Sequence, residues 1–301
     1  MSFINVLIPI FGVFAIGFIG MKFFKLDIKP ISTMALYLMS PFLAFRTFYQ
    51  NDLNMDYLYL GTFLILLCII SIGICYLVAY FKKWNSANTS SFVLASVFMN
   101  NGNYGTPLVL LVFGEPGFHY AVILMVLQQL IMCTIGIYVA AKGGADGKEV
   151  MASPMKEVIK VPIVYGAILG IIFNLFHFDI GSEVMTAVNM VSDATIPTIM
   201  IVLGMQLATI SLKKLEIGKL STALVFKLAI APVIAYLITI PLPVDEMVKD
   251  ILILMAAMPT AANTTMYALQ FDAKPGFVSS ATLTSTLLSI ITLPVLLAIL
   301  L

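Results

Sequence analysis

Charge is scarce in this 301-residue chain: 10% of its residues are Asp, Glu, Lys or Arg, against 61% hydrophobic, with a mean hydropathy of +1.05. Soluble domains carry about 25% charged residues, so the composition excludes one and indicates an all-α integral membrane protein. The net charge of +1, with no basic stripe, excludes a nucleic-acid partner. Cysteine is equally sparse. Cys68, Cys75 and Cys133 all lie in apolar segments without metal-ligand spacing, which implies buried thiols and no disulfide framework. His119 and His177 do not pair in sequence, so no metal centre is expected. The chain lacks H-E-x-x-H, G-x-S-x-G and paired acids for a diphosphate, which argues against an intramembrane enzyme and leaves no catalytic residue to name. It also lacks a nucleotide-binding loop, as a primary pump would need. The first apolar stretch has no basic n-region or cleavage site and reads as a retained helix.

What the chain has is long apolar runs. Taking about 20 residues per crossing, ten crossings are expected, over 3–22, 31–49, 58–81, 88–113, 118–141, 159–177, 184–210, 219–240, 248–271 and 276–299. The polar stretch 142–158 reads as a cytoplasmic linker between two five-helix units, 1–141 and 159–301. Thirteen lysines fall in the odd-numbered loops, from Lys22 to Lys274, whereas Lys249 alone falls in the even ones. Positive residues mark cytoplasmic loops, so both termini are expected outside. A five-helix unit repeated after an odd number of crossings is inverted. Its traces are Ile8-Pro9-Ile10 with Gly17 against Val161-Pro162-Ile163 with Gly170, Pro41 against Pro197, and Pro116-Gly117-Phe118 against Pro275-Gly276-Phe277.

Two crossings contain sequence that no regular helix accommodates. The fourth carries Asn100-Asn101-Gly102-Asn103-Tyr104-Gly105-Thr106-Pro107. Glycine costs about 1 kcal/mol and proline about 3 kcal/mol in a helix interior relative to alanine. Its repeat counterpart in the ninth crossing is Pro259-Thr260-Ala261-Ala262-Asn263-Thr264-Thr265. Interrupted helices at matching positions of inverted halves point to a transporter site. The competing reading is a pair of kinks whose amides glue neighbouring helices. If the site reading holds, two helix N-termini converge at midplane, each with roughly half a positive charge. That setting suits a carboxylate.

At these residues the chain resembles the auxin efflux carrier family, which includes plant auxin exporters and bacterial malate and malonate permeases. The run Asn101 to Pro107 carries the resemblance most strongly, followed by Ala194, Pro197 and Leu203-Gly204. The resemblance implies two inverted five-helix repeats whose fourth and ninth helices break at Pro107 and Pro259 and cross at midplane. It implies Asn103 and Asn263 as substrate-facing amides. It implies a scaffold of helices one, two, six and seven beside a moving bundle, and a homodimer formed through the scaffold. Auxin exporters also have an acid in helix three that communicates with a glutamine in helix five. Here 58–81 holds no acid, while Gln128 and Gln129 match the glutamine.

Few charges remain inside crossings, and each is a functional candidate. Arg46 reads as snorkelling to the outer interface. Asp193, four residues before Pro197, is a coupling candidate whose depth depends on where its helix begins. Lys227 either snorkels inward or faces the bundle and meets a substrate carboxylate. The expected function is secondary transport of a small organic anion, a dicarboxylate such as malate, across the plasma membrane. H⁺ or Na⁺ is expected as co-transported cation, with no other cofactor. The alternatives are an exporter or uniporter of an auxin-like monocarboxylate and, from other classes, an anion channel or an intramembrane enzyme.

Overall fold

The computed structural model describes residues 3–144, 161–209 and 216–301. Most of the expected linker 142–158 lies outside the described residues, as do the loop lysines Lys148, Lys156, Lys160, Lys213 and Lys214. The described chain is helical, without strands. Its helices are α1 (Phe3–Phe24), α2 (Ile28–Gln50), α3 (Asp56–Phe81), α4 (Ser86–Ser96), α5 (106–113), α6 (115–143), α7 (Pro162–Leu175), α8 (Ser182–Thr209), α9 (Ile217–Thr239), α10 (Glu246–Ala256), α11 (Ala262–Gln270) and α12 (Pro275–Leu300). The fold class is therefore that of an all-α integral membrane protein.

Seven described segments are long and apolar enough to cross a bilayer, where ten were expected. Three physical differences account for the gap. The segment Asn101–Gly143 spans 43 residues, about 65 Å of helix at 1.5 Å per residue, twice the roughly 30 Å of a hydrocarbon core. It is broken at Gly114, whose φ of 67° and ψ of −163° suit glycine and separate α5 from α6. The fourth and ninth segments are each two short helices, too short singly to count. The sixth, α7, has only 14 helical residues.

Three prolines follow a local widening of the helix. Wide π-type turns over Met34–Met39, Asn101–Gly105 and Phe226–Ile230 lie just before Pro41, Pro107 and Pro232. A proline lacks the amide that would continue the ladder, and the extra residue in each turn absorbs the mismatch.

The helices pack as two groups. In the first, α1 lies on α8 and α2 on α7. Both seams depend on glycine. Gly17 faces the Ile201 backbone and Gly204 the Phe14 backbone, while Gly166 faces Pro41 and Gly170 faces Phe45. A Cβ at any of the four would meet main-chain atoms, so these helices approach as closely as small residues permit. Asn174 of α7 donates to the carbonyls of Tyr49 (2.9 Å) and Asn51 (3.0 Å), closing the end of α2. In the second group α4 is buried among α3, α6, α9, α11 and α12. Lys219, near the start of α9, is buried there. Its ammonium donates to Asn88 (2.9 Å) and Ser91 (2.7 Å) and lies 4.0 Å from the centre of the Phe277 ring.

Candidate functional site

The two interrupted segments meet. α4 ends at Ser96 and α10 at Ala256, and the chain beyond each is extended enough to pair as an antiparallel bridge, Met99 against Thr260. The Asn100 amide donates to the Pro259 carbonyl at 2.9 Å and the Ala261 amide to the Phe98 carbonyl at 3.1 Å. Each break therefore satisfies backbone groups that the other has freed, as a membrane interior requires. Thr260 pins the crossing further. Its hydroxyl donates to the Ala95 carbonyl (2.6 Å) and its amide to the Ser285 hydroxyl (3.1 Å).

Beyond the bridge the chain re-enters helix in both segments, through the turn Asn101–Gly105 into α5 and from Ala262 into α11. Neither start has a side-chain cap. The first amides of a helix have no partner within it, so both starts present donors. Around them lie polar atoms buried without a partner among the described residues: the Asn100 Nδ2, both amide atoms of Asn101, and the Gln128 Nε2. Gln128 belongs to this neighbourhood because Met125, one turn earlier on α6, packs at Gly102. Leaving one such group unpaired costs about 1–3 kcal/mol. The arrangement can accept an anion: amide N–H groups, positive helix ends and low dielectric, with no carboxylate among the break residues.

The bridge joins Asn100 directly to Pro259; Asn101, Asn103, Tyr104, Thr106 and Pro107 follow it on one segment of the chain and Asn263, Thr264 and Thr265 on the other. Their roles differ. Asn103 is buried and Asn263 half-buried. The hydroxyls of Thr106 and Thr264 turn back onto their own helix starts, donating to Asn101 (2.9 Å) and Ala261 (2.7 Å). Tyr104 is a packing anchor: its ring stands edge-on to Phe11 and Phe14 of α1, and its hydroxyl accepts from Ser289 at 3.0 Å. Thr265 lies 3.4 Å from the Thr282 hydroxyl. Gln129 diverges from Gln128, donating to the Cys133 thiol at 3.2 Å.

The structure gives partners to the three charged residues singled out within the crossings. Arg46 pairs with Asp193 at 2.5 Å, joining α2 to α8. Asp193 is mostly exposed on that face. Lys227 does not snorkel: it is 1% exposed and donates to the Ala256 carbonyl at 3.1 Å, at the end of α10 rather than at the helix starts. Sequence reasoning also passed over the hydroxyls of α12. Ser285 and Ser289 hold the crossing, and with Thr282 and Thr286 they recur at helical spacing on one buried face. That periodicity was the available signal.

Two cavities flank the crossing at opposite ends of α3. One of about 340 Å³ lies between the end of α2 and the start of α6, lined by Arg46, Gln50, Glu115 and His119. The other, of about 280 Å³, lies between α3, the start of α4 and the end of α6, lined by Tyr76, Trp84, Ser90 and Lys142. Neither reaches the bridge residues.

Comparison with known proteins matches residues 2–297 to a family model described as membrane transport protein. The chain is 27% identical to an uncharacterized transporter of Methanothermobacter thermautotrophicus, over 89% of this chain and 87% of that protein. It is 26% identical to an uncharacterized transporter of Methanocaldococcus jannaschii, over 87% and 86% of the two. A protein of Rhizobium meliloti named "Putative malonate transporter" is 22% identical, over 96% of this chain and 92% of its own length.

Proposed function

The chain belongs to the membrane transport protein family, that of the auxin efflux carriers, and from this premise we propose that it is a secondary transporter of a small dicarboxylate of the malate or malonate type. Family and relatives are transporters rather than enzymes. The observation that carries the substrate reading is the pair of uncapped helix starts held together by the bridge, with buried unpaired amides of Asn100, Asn101 and Gln128 beside them. Asn103 and Asn263 complete the site as substrate-facing amides. The absence of an acid from 58–81, the membrane-spanning body of α3, supports a malate-type substrate over auxin.

The proposal includes the architecture. The twelve helices form ten crossings, with α4–α5 and α10–α11 as single broken crossings, in inverted repeats of 1–141 and 159–301. The paired glycine seams support the repeat, since Gly17 and Gly170 take equivalent places in them. Odd loops are cytoplasmic and both termini outside, in the plasma membrane. The group α1, α2, α7 and α8 is the scaffold, through which two copies pair, and the remaining helices carry the site between the two flanking cavities.

Uptake of labelled malonate and malate into proteoliposomes, with H⁺ and Na⁺ gradients set separately, tests the function. Saturable uptake of either acid, competed by the other and weakly by indole-3-acetate, is expected. Saturable binding of a neutral or cationic compound with no response to carboxylates would overturn it.

A further inference from the structure

The crossing has a second polar side. α4 and α10 stop there, at Ser96 and Ala256, a few residues before the bridge. A helix C-terminus carries roughly half a negative charge, and its last carbonyls have no partner within the helix. About one negative charge therefore gathers where the two ends meet, in a low-dielectric interior. In broken-helix transporters such carbonyl ends coordinate the coupling cation.

Here the two ends are satisfied unequally. The Ala95 carbonyl takes a neutral hydroxyl, that of Thr260. The Ala256 carbonyl takes the Lys227 ammonium at 3.1 Å. Lys227 projects from the wide turn Phe226–Ile230 of α9, just before Pro232, and is among the largest fully buried side chains of the protein. The Cys75 thiol of α3 lies within electrostatic reach of the ammonium and against the Ser96 side chain. The lysine thus sits among α3, the end of α4 and the end of α10. Among the described residues it has no ion-pair partner, and a backbone carbonyl is its hydrogen-bond acceptor.

We propose that the Lys227 ammonium is a tethered replacement for the coupling cation, filling the cation position at the carbonyl ends of the broken helices so that substrate moves without co-transported Na⁺. The inference rests on the transport reading of the breaks, but its first readout needs no substrate. A lysine that merely filled space would be replaced by methionine at little cost. One that supplies charge leaves, on truncation, a vacancy that a small free cation can occupy.

The test is the melting temperature of the detergent-solubilised full chain in NaCl, choline chloride and methylammonium chloride at equal ionic strength. The wild type is expected to melt alike in NaCl and choline. Lys227→Ala should melt several degrees lower in choline and recover part of the loss in methylammonium or Na⁺. Lys227→Met should melt lower in all three salts, because its side chain occupies the space without a charge. Na⁺-specific stabilisation of the wild type would reveal a vacant cation site and overturn the proposal. So would a Lys227→Met protein as stable as the wild type, or a Lys227→Ala protein indifferent to every cation. If Lys227→Ala does not accumulate, the wild-type and Lys227→Met arms still decide. Malonate uptake by the wild type should also be equal with and without a Na⁺ gradient. Failure to carry malonate at all would count against the substrate reading alone, leaving the melting arms to judge the lysine.

Discussion

Asn101 is buried to 1% exposure with both atoms of its amide unpaired among the described residues, whereas Thr260, equally buried, has both its hydroxyl and its amide engaged. The two residues should therefore answer substitution in opposite ways. Asn101→Ala removes a polar group that the empty protein buries without a partner, so thermal stability should hold or rise. If that amide meets a carboxylate, losing the bond costs about 1.5–3 kcal/mol, or roughly tenfold to a hundredfold in affinity. Asn103→Ala and Asn263→Ala should show the same loss of affinity. Thr260→Val instead strips the Ala95 carbonyl of its donor and should destabilise by about 1–3 kcal/mol. Melting curves and substrate titration on the same preparations separate the outcomes; an Asn101→Ala protein with lowered stability and unchanged affinity would assign that residue to structure. The difference between the two residues was not legible in the sequence, where both are polar residues in matching interrupted runs. It depends on which backbone carbonyl lies opposite, and Ala95 is 165 residues from Thr260.

At the level of elements the sequence was most informative where the physics is local. Apolar runs placed the helices to within a few residues, and the Gly, Pro and Asn cluster placed both interruptions. That the interruptions meet came from the family resemblance and not from local pattern, because backbone hydrogen bonds between distant segments leave no mark on side-chain pattern. The Arg46–Asp193 pair was hidden for the same reason: each residue alone looked like a stray charge in an apolar segment. The glycine seams were half visible, since Gly17 and Gly170 fell into register within the repeat and Gly204 belonged to the family pattern, while Gly166 gained meaning only from what it touches. Gly204→Ala places a Cβ against the Phe14 main chain, which cannot swing aside as a side chain would. It should cost about 1–3 kcal/mol by overpacking. Gly20→Ala on the same seam's helix α1 meets nothing within 4 Å and should be neutral or stabilising by up to about 1 kcal/mol. Comparable melting temperatures for the two variants would show that the α1–α8 contact is looser than described.

For the molecule as a whole, the lysine distribution predicts the orientation proposed above, and the burial of Cys68, Cys75 and Cys133 makes it simple to test. A cysteine at Asn54, between α2 and α3, should react with an impermeant thiol reagent on intact cells. One at Lys83, between α3 and α4, should react only after permeabilisation, and the reverse pattern would invert the topology. The bridge at the centre bears on how this molecule tolerates mutation. Its two hydrogen bonds run from the Asn100 and Ala261 amides to the Pro259 and Phe98 carbonyls, main chain to main chain. Nineteen of the twenty residue types carry those same main-chain amides, so the join is nearly blind to side-chain identity at positions 100 and 261. Under the proposed function, substrate preference is free to drift through the surrounding amides while the crossing keeps its form, with proline at either position the one residue type that deletes a donor outright.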